Sequence, residues 1–200
     1  RSGKMQDVPE GVDVRAADAY DLEQAQVAAN NASVIYNCAA PSYSAKAWET
    51  DLPKLWGNIL EAAASAKAKL VIGDNLYMYD NVAGPIHEGL PHSATTRKGK
   101  ARSKVAEAML KAHRAGKVQV TFGRPTGSFG PYATEQSLLG SRVFPALLKG
   151  KAVSMIGNID VPHTLTYTKD FGKALVILGE HDEAFGQAWH VPNSSTKTKR

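Results

Sequence analysis

Short apolar runs alternate along this chain with longer stretches in which apolar residues recur every three or four positions. Residues 21–31 are rich in helix formers and lead into Ala32-Ser33-Val34-Ile35-Tyr36-Asn37, a short apolar run of strand type. Across 48–67, Trp48, Leu52, Leu55, Ile59, Ala62 and Ala63 fall at helical steps and predict a long amphipathic helix. Lys69-Leu70-Val71-Ile72-Gly73 predicts a buried strand. Residues 99–115 predict a further helix closed by Gly116, and residues 118–122 the next strand. Strands separated by helices of this length pair in parallel through right-handed crossovers, so both faces of the sheet must be covered. The pattern predicts an α/β fold with a doubly wound parallel sheet.

The rhythm loosens after Phe122. Residues 123–132 are rich in Gly and Pro, a helix is predicted over 137–149 and a short strand over 153–156. A helix at about 169–179 and a last strand at 188–191 follow. The division this suggests is a core over 1–132 and a region over 133–200 interleaved with the last core elements. Neither an internal repeat nor a heptad run is visible.

Composition narrows the class. The chain has 200 residues, 43% of them hydrophobic, enough for one sizeable core. Its single cysteine, Cys38, has no internal disulfide partner, and no apolar run approaches the roughly 20 residues a membrane span needs. A soluble, reducing, cytoplasmic setting without a membrane partner is expected. The net charge of +5 raises the question of nucleic acid. The excess lies in two separate places, Arg97 to Lys104 and the Lys197, Lys199, Arg200 tail, not in one stripe, so no nucleic-acid partner is expected. His87 and His92 flank a Pro-containing loop without further ligands, so no metal site is expected.

Several segments, in order, resemble the extended or atypical short-chain dehydrogenase/reductase family, the epimerase/dehydratase-like group. Asn37-Cys38-Ala39-Ala40 is similar to the family's strand-closing segment, and Asn58 in Trp56-Gly57-Asn58-Ile59 to its recurrent helical asparagine. Leu70 to Tyr79 resembles the strand and loop that carry the family's Ser/Thr and its Val-Tyr-Gly. Lys104-Val105-Ala106-Glu107 resembles part of the Tyr-x-x-x-Lys helix, and Arg124-Pro125 with Phe129-Gly130-Pro131 the following loop. His163, Tyr167 and Asp170 fall as in a later segment of the family. The resemblance implies a Rossmann-type core over 1–132, incomplete at its N-terminus, and a partial substrate-binding region over 133–200. It also implies an NAD(P)-dependent oxidoreductase or epimerase/dehydratase-type enzyme acting on a small carbonyl, carbinol or sugar-derived substrate. A homodimer is compatible with it.

The resemblance places Ser2, Asp18, Cys38, Ala39, Ala40, Asn58, Lys104, Arg124 and Pro125 at the cofactor. Arg1 joins them at the ribose end and favours NADP over NAD, because guanidinium pairs bidentately with phosphate; it reads equally well as an ordinary chain-end arginine. Asp18 reads as the residue meeting the adenine or as a turn acid. The sequence holds no G-x-G-x-x-G phosphate loop, so a fragment is expected that binds dinucleotide poorly by itself.

For catalysis the resemblance points to Asn75 at the Ser/Thr position and Tyr79 at the end of the loop. Four residues before Lys104 stands Lys100 where the family's proton-transferring tyrosine would be. A lysine with its ordinary pKa near 10.4 is a poor proton shuttle at neutral pH, although repulsion between Lys100 and Lys104 lowers one of the two. Tyr77, Tyr79 and His163 are the other candidate proton donors. A non-catalytic NADP-binding sensor of the same fold is the alternative.

Overall fold

The fold is that of a computed structural model, which describes every residue except 1, 6, 81, 134–136, 138, 142, 156, 194, 199 and 200. The elements run α1 (Leu22–Ala29), β1 (Val34–Asn37), α2 (Ala45–Ala66), β2 (Lys69–Gly73), α3 (Arg97–Arg114) and β3 (Val120–Arg124). They continue with β4 (Gly127–Phe129), α4 (Phe144–Leu147), β5 (Leu165–Tyr167), α5 (Thr168–Glu180), a 3-10 turn at Asp182–Ala184 and β6 (Ala188–His190). The main sheet has the order β1-β2-β3-β6 and is parallel throughout. A second, two-stranded parallel ladder pairs β4 with β5.

α1, α2 and α3 each start where a side chain replaces a missing intrahelical acceptor. Asp21 accepts from the Gln24 amide, Ser44 from that of Ala47 and Thr96 from that of Gly99. Such caps contribute about 1 kcal/mol each. α2 therefore begins three residues before the apolar periodicity does. At its other end Lys67 adopts a left-handed conformation with φ 54° and turns the chain into β2.

The alternation of side chains along β2 builds two cores. Leu70 and Ile72 pack with Leu52, Trp56 and Ile59 of α2, Val105 and Met109 of α3, and Val120 and Phe122 of β3. Val71 faces the other way, onto Leu175 of α5 and Phe185. Helices thus cover both faces, and β2 carries no polar face because neither side meets water. α5 approaches closely because β3 offers it a glycine: a Cβ on Gly123 would lie 2.6 Å from Leu175 Cδ2.

The less regular half departs from expectation. The helix predicted over 137–149 is confined, among the described residues, to Phe144–Leu147, and residues 153–155 form no strand. Residue 156 lies outside the described residues. β4 and β5 were not predicted, since three-residue strands containing Gly127 and Ser128 show no apolar run. β3 extends two residues past Phe122, which carries Gly123 and Arg124 into the sheet and sets Arg124 in register with His190 of β6.

Candidate active site

The carboxyl ends of the parallel strands open into one cleft of about 1640 Å³. This is where open α/β sheets bind ligands, since the loops leaving the strands diverge there. Cys38, Ala40 and Tyr43 enter it from the loop after β1, Asn75 and Tyr77 from the loop after β2, and Arg102 from α3. Pro125 and His190 line it from the ends of β3 and β6.

Beneath the wall lies a buried charge network. Arg124 donates from Nε to Asp74 Oδ2 at 3.0 Å, and Arg102 donates to Asp74 Oδ1 at 3.3 Å. Arg124 also donates to the Tyr79 hydroxyl at 2.8 Å and faces His92 Nε2 at 3.2 Å. A guanidinium has no acceptor, so His92 Nε2 must be the unprotonated nitrogen. With its oxygen taken by Arg124, Tyr79 is left to donate to His190 Nε2, 3.1 Å away. Burial and then the Arg124 charge hold His92 below its ordinary pKa. Burial likewise lowers His190 and raises Tyr79. Among the described residues Asp74 is the one carboxylate hydrogen-bonded to both buried arginines, which explains how charges so deep are tolerated.

Above this network sits an aromatic group at the mouth of the cleft. Trp48 stacks on Tyr77 at 5.4 Å and meets Tyr43 edge-on at 5.6 Å, and the Tyr43 and Tyr77 hydroxyls lie 2.7 Å apart. Lys98 Nζ is 3.5 Å from the Tyr43 ring centroid, and the Arg102 guanidinium 4.4 Å from that of Trp48.

The sequence-derived candidates distribute unevenly over this geometry. Asn75, Cys38, Ala40 and Pro125 line the cleft, and Arg124 and Tyr79 lie directly behind it in the buried network. Ala39 is exposed beside them and its amide is bound by Asn37 Oδ1. Asn58 faces elsewhere, donating to the Ala19 carbonyl at 3.0 Å and tying α2 to the segment before α1. Asp18 sits in that same segment, where its carboxylate accepts from the Tyr20 amide. Ser2 is exposed and accepts from the Lys4 amide, and Arg1 lies outside the described residues. Lys100 and Lys104 are both on the exposed face of α3 and do not line the cleft. The α3 side chains turned to the aromatic group are Lys98 and Arg102, the same four-residue spacing two positions upstream.

Tyr43, Asp74, Lys98, Arg102 and His190 were therefore missed in the sequence. A signal existed for one of them: Arg102 stands three, four and seven residues before Val105, Ala106 and Met109, on the buried stripe of α3. Cys38 is an exposed residue, but its sulfur lies beside Gly73, and desolvation raises its pKa, which keeps it a thiol rather than a nucleophilic thiolate. Among the described residues no three His, Cys, Asp or Glu side chains converge as a metal site requires, and no helix is long and apolar enough to cross a membrane.

A profile of the NAD-dependent epimerase/dehydratase family matches residues 3–191. The chain belongs to that family. Solved structures of other members share the fold of this epimerase/dehydratase-family chain at low identity. UDP-N-acetylglucosamine 4-epimerase from Bacillus cereus superposes with a TM-score of 0.82 at 16% identity, over 96% of this chain and 66% of that one. The dTDP-glucose 4,6-dehydratase DesIV from Streptomyces venezuelae, solved as a double mutant with NAD bound, gives 0.78 at 17% identity, over 92% and 59%. RMD from Pseudomonas aeruginosa, complexed with NADPH, gives 0.75 at 17% identity, over 96% and 70%. The chain thus spans less than two thirds of the first two of these relatives. No curated protein sequence matches it.

Proposed function

We propose that this chain forms the nicotinamide-facing and substrate-facing part of an NAD(P)-dependent oxidoreductase or epimerase/dehydratase acting on a small carbonyl, carbinol or sugar-derived compound. One observation carries the reading. Three parallel strands deliver a ledge of small residues at Cys38 to Ala40, a polar amide at Asn75, and Pro125 to a single cleft that α3 enters with Arg102. Its volume of about 1640 Å³ exceeds the roughly 300–1,000 Å³ of a pocket for one small ligand and suits a dinucleotide with its substrate.

The residues present fit the nicotinamide end of such a cofactor, because the exposed Cys38-Ala39-Ala40 backbone lacks bulk that would hold a flat ring away. The cofactor, when bound, supplies a carrier for hydride. Preference for NADP over NAD is part of the proposal and rests on Arg1 alone. Asn75 has its Oδ1 occupied by the Tyr77 amide at 3.0 Å, which leaves Nδ2 as a donor for a substrate oxygen. Arg102 is the basic side chain that α3 brings to the cleft, with Lys98 adjacent to it against the Tyr43 ring, which suits an anionic substrate group.

Titration of the full-length protein containing this chain with oxidised and reduced NAD(P), followed by a panel of sugar-nucleotide and simple carbonyl substrates, tests the proposal. Saturable binding with turnover of a panel compound is expected, read as NAD(P)H oxidation for a reductase or as product from a sugar nucleotide for an epimerase or dehydratase; absence of both binding and turnover refutes it. The sensor reading has its own support, because neither residue that α3 turns to the aromatic group is a tyrosine. Binding without turnover across the panel would select it.

A further inference from the structure

The geometry points to Tyr43 as the proton-transferring residue of this cleft, with Lys98 and Tyr77 as the groups that make its phenolate accessible. The inference deepens the nicotinamide-dependent reading above and rests on it.

Tyr43 lies in the loop between β1 and α2 and is 53% exposed, so its hydroxyl is available to a ligand. It lines the same cleft as Asn75, the proposed donor to a substrate oxygen. Asn75 in turn fixes the Tyr77 amide, and Tyr77 places its hydroxyl 2.7 Å from that of Tyr43. Asn75 thus holds the Tyr77 backbone at one end of the residue while the Tyr77 phenol meets Tyr43 at the other, and all three residues line the cleft.

The charges around Tyr43 favour loss of its proton. Facing it are Tyr77 from the loop after β2 and Lys98 of α3, with Arg102 one turn further along α3 over the Trp48 ring. The acid nearest in sequence, Glu49 of α2, is already held by Arg97 through a 2.8 Å hydrogen bond. Lys98 is also the second residue of α3, where the helix dipole adds positive potential. Burial alone would raise the Tyr43 pKa, but the Lys98 ammonium against its ring and the hydrogen bond shared with Tyr77 outweigh it and leave the phenol below its ordinary value. Tyr77 is driven the opposite way, by burial and by Tyr43 itself. Of the two phenols that share this hydrogen bond Tyr43 is the one favoured to ionise, and once it has done so Tyr77 can only donate to it. The two-group logic of a phenol beside an ammonium is met here by residues from different elements.

In the reducing direction the Tyr43 O–H bond breaks and its proton passes to a substrate carbonyl oxygen. The carbonyl carbon takes hydride from a reduced nicotinamide nucleotide, which is oxidised as the carbonyl becomes an alcohol. The phenolate is held opposite Lys98 until water returns a proton. In the oxidising direction each transfer reverses.

The test has a spectroscopic arm that needs no bound nucleotide. Ultraviolet tyrosinate titration of the protein, minus that of Tyr43→Phe, isolates one phenol. It should ionise below the ordinary value of 10.0, return to that value or above in Lys98→Met, and stay low in Lys98→Arg. In the kinetic arm, Tyr43→Phe should lower kcat by roughly 10²-fold or more while nucleotide binding and KM stay near wild type. Ordinary ionisation of Tyr43, or undiminished turnover in Tyr43→Phe, overturns the assignment. A lowered, Lys98-dependent phenol in a protein that turns over no substrate with NAD(P) overturns the nicotinamide-dependent reading and with it the catalytic role of Tyr43, leaving only the ionisation of the phenol.

Discussion

Arg124 donates from Nε to Asp74 across 3.0 Å, with the Arg124 side chain 2% and that of Asp74 0% exposed. Arg102 reaches the other oxygen of the same carboxylate, so one anion compensates two buried cations behind the cleft. Removing that charge leaves two guanidinium groups without a counter-ion where water cannot replace it. Asp74→Asn, nearly isosteric, should therefore lower stability by about 3–5 kcal/mol, a large share of the roughly 5–15 kcal/mol typical of a domain. Urea denaturation with an unchanged slope and a reduced midpoint checks this. A loss within the range of an ordinary surface substitution would show that the pair of arginines finds other compensation.

The same network makes stability fall on the acid side of neutrality. His92 and His190 have folded-state pKa values below their ordinary 6.5, chiefly through burial. The unfolded chain then binds protons at those two positions that the folded chain refuses. Their contribution is complete above pH 6.5 or so and is lost as pH falls from there toward the depressed folded values. The thermal midpoint should be flat from pH 7 to 8 and decline below about pH 6. His92→Gln keeps an acceptor for Arg124 and cannot titrate, so its decline should be shallower. An identical pH profile for the two proteins would exclude His92 as a source.

How far these features were readable in the sequence depends on whether one face or two decided each element. β2 was read to the residue, because Leu70, Val71 and Ile72 are buried on both faces and form an unbroken apolar run. The six apolar positions of α2 from Trp48 to Ala63 are all buried as their spacing required. The ladder of β4 and β5 was invisible because its pairing depends on a distant partner rather than on local composition. Asn75 and Pro125 stand at strand ends lining the cleft, with Arg124 directly behind it, at the positions the resemblance singled out. Lys98 and Arg102 were not among them, because five basic residues in the first eight of α3 offer more than one four-residue pair, and only the neighbouring apolar stripe says which pair turns inward. Tyr43 comes from a loop whose position no periodicity fixes.

Gly99 is a substitution for which helix propensity and packing disagree. Alanine in place of a helical glycine normally stabilises by about 0.8–1 kcal/mol. Here an added Cβ would fall 2.3 Å from the Tyr77 carbonyl oxygen and 2.5 Å from Ala94 Cβ, both closer than atoms pack. Backbone must move to admit it, at a cost of about 1–3 kcal/mol. The first turn of α3 and the Tyr77 loop are the parts that would separate, and they carry Lys98 and the partner of Tyr43. Gly99→Ala should thus destabilise by about 1–2 kcal/mol net of the propensity gain and should also return the Tyr43 phenol toward its ordinary pKa. A more stable variant with an unchanged tyrosinate titration would mean that the approach of α3 to Tyr77 is looser than the structure has it.

The two faces of α3 give the sharpest functional contrast. Lys100 and Lys104 are exposed, whereas Lys98 lies against the Tyr43 ring. All three carry the same charge within two turns of one helix, so a long-range field would weight them almost equally, while a contact would single out Lys98. Screening over a Debye length of about 8 Å in physiological salt further suppresses the contribution of charges that point into solvent. The Lys100→Ala, Lys104→Ala double variant should therefore keep its stability to within about 0.5 kcal/mol and its turnover within twofold or so of wild type, since neither lysine touches the cleft. Lys98→Met, which removes one charge instead of two, should lower kcat by roughly 10-fold or more through loss of the stabilised phenolate. Parallel steady-state assays decide the matter, and a double variant as impaired as Lys98→Met would return Lys104 to the reaction centre and displace Lys98 from it.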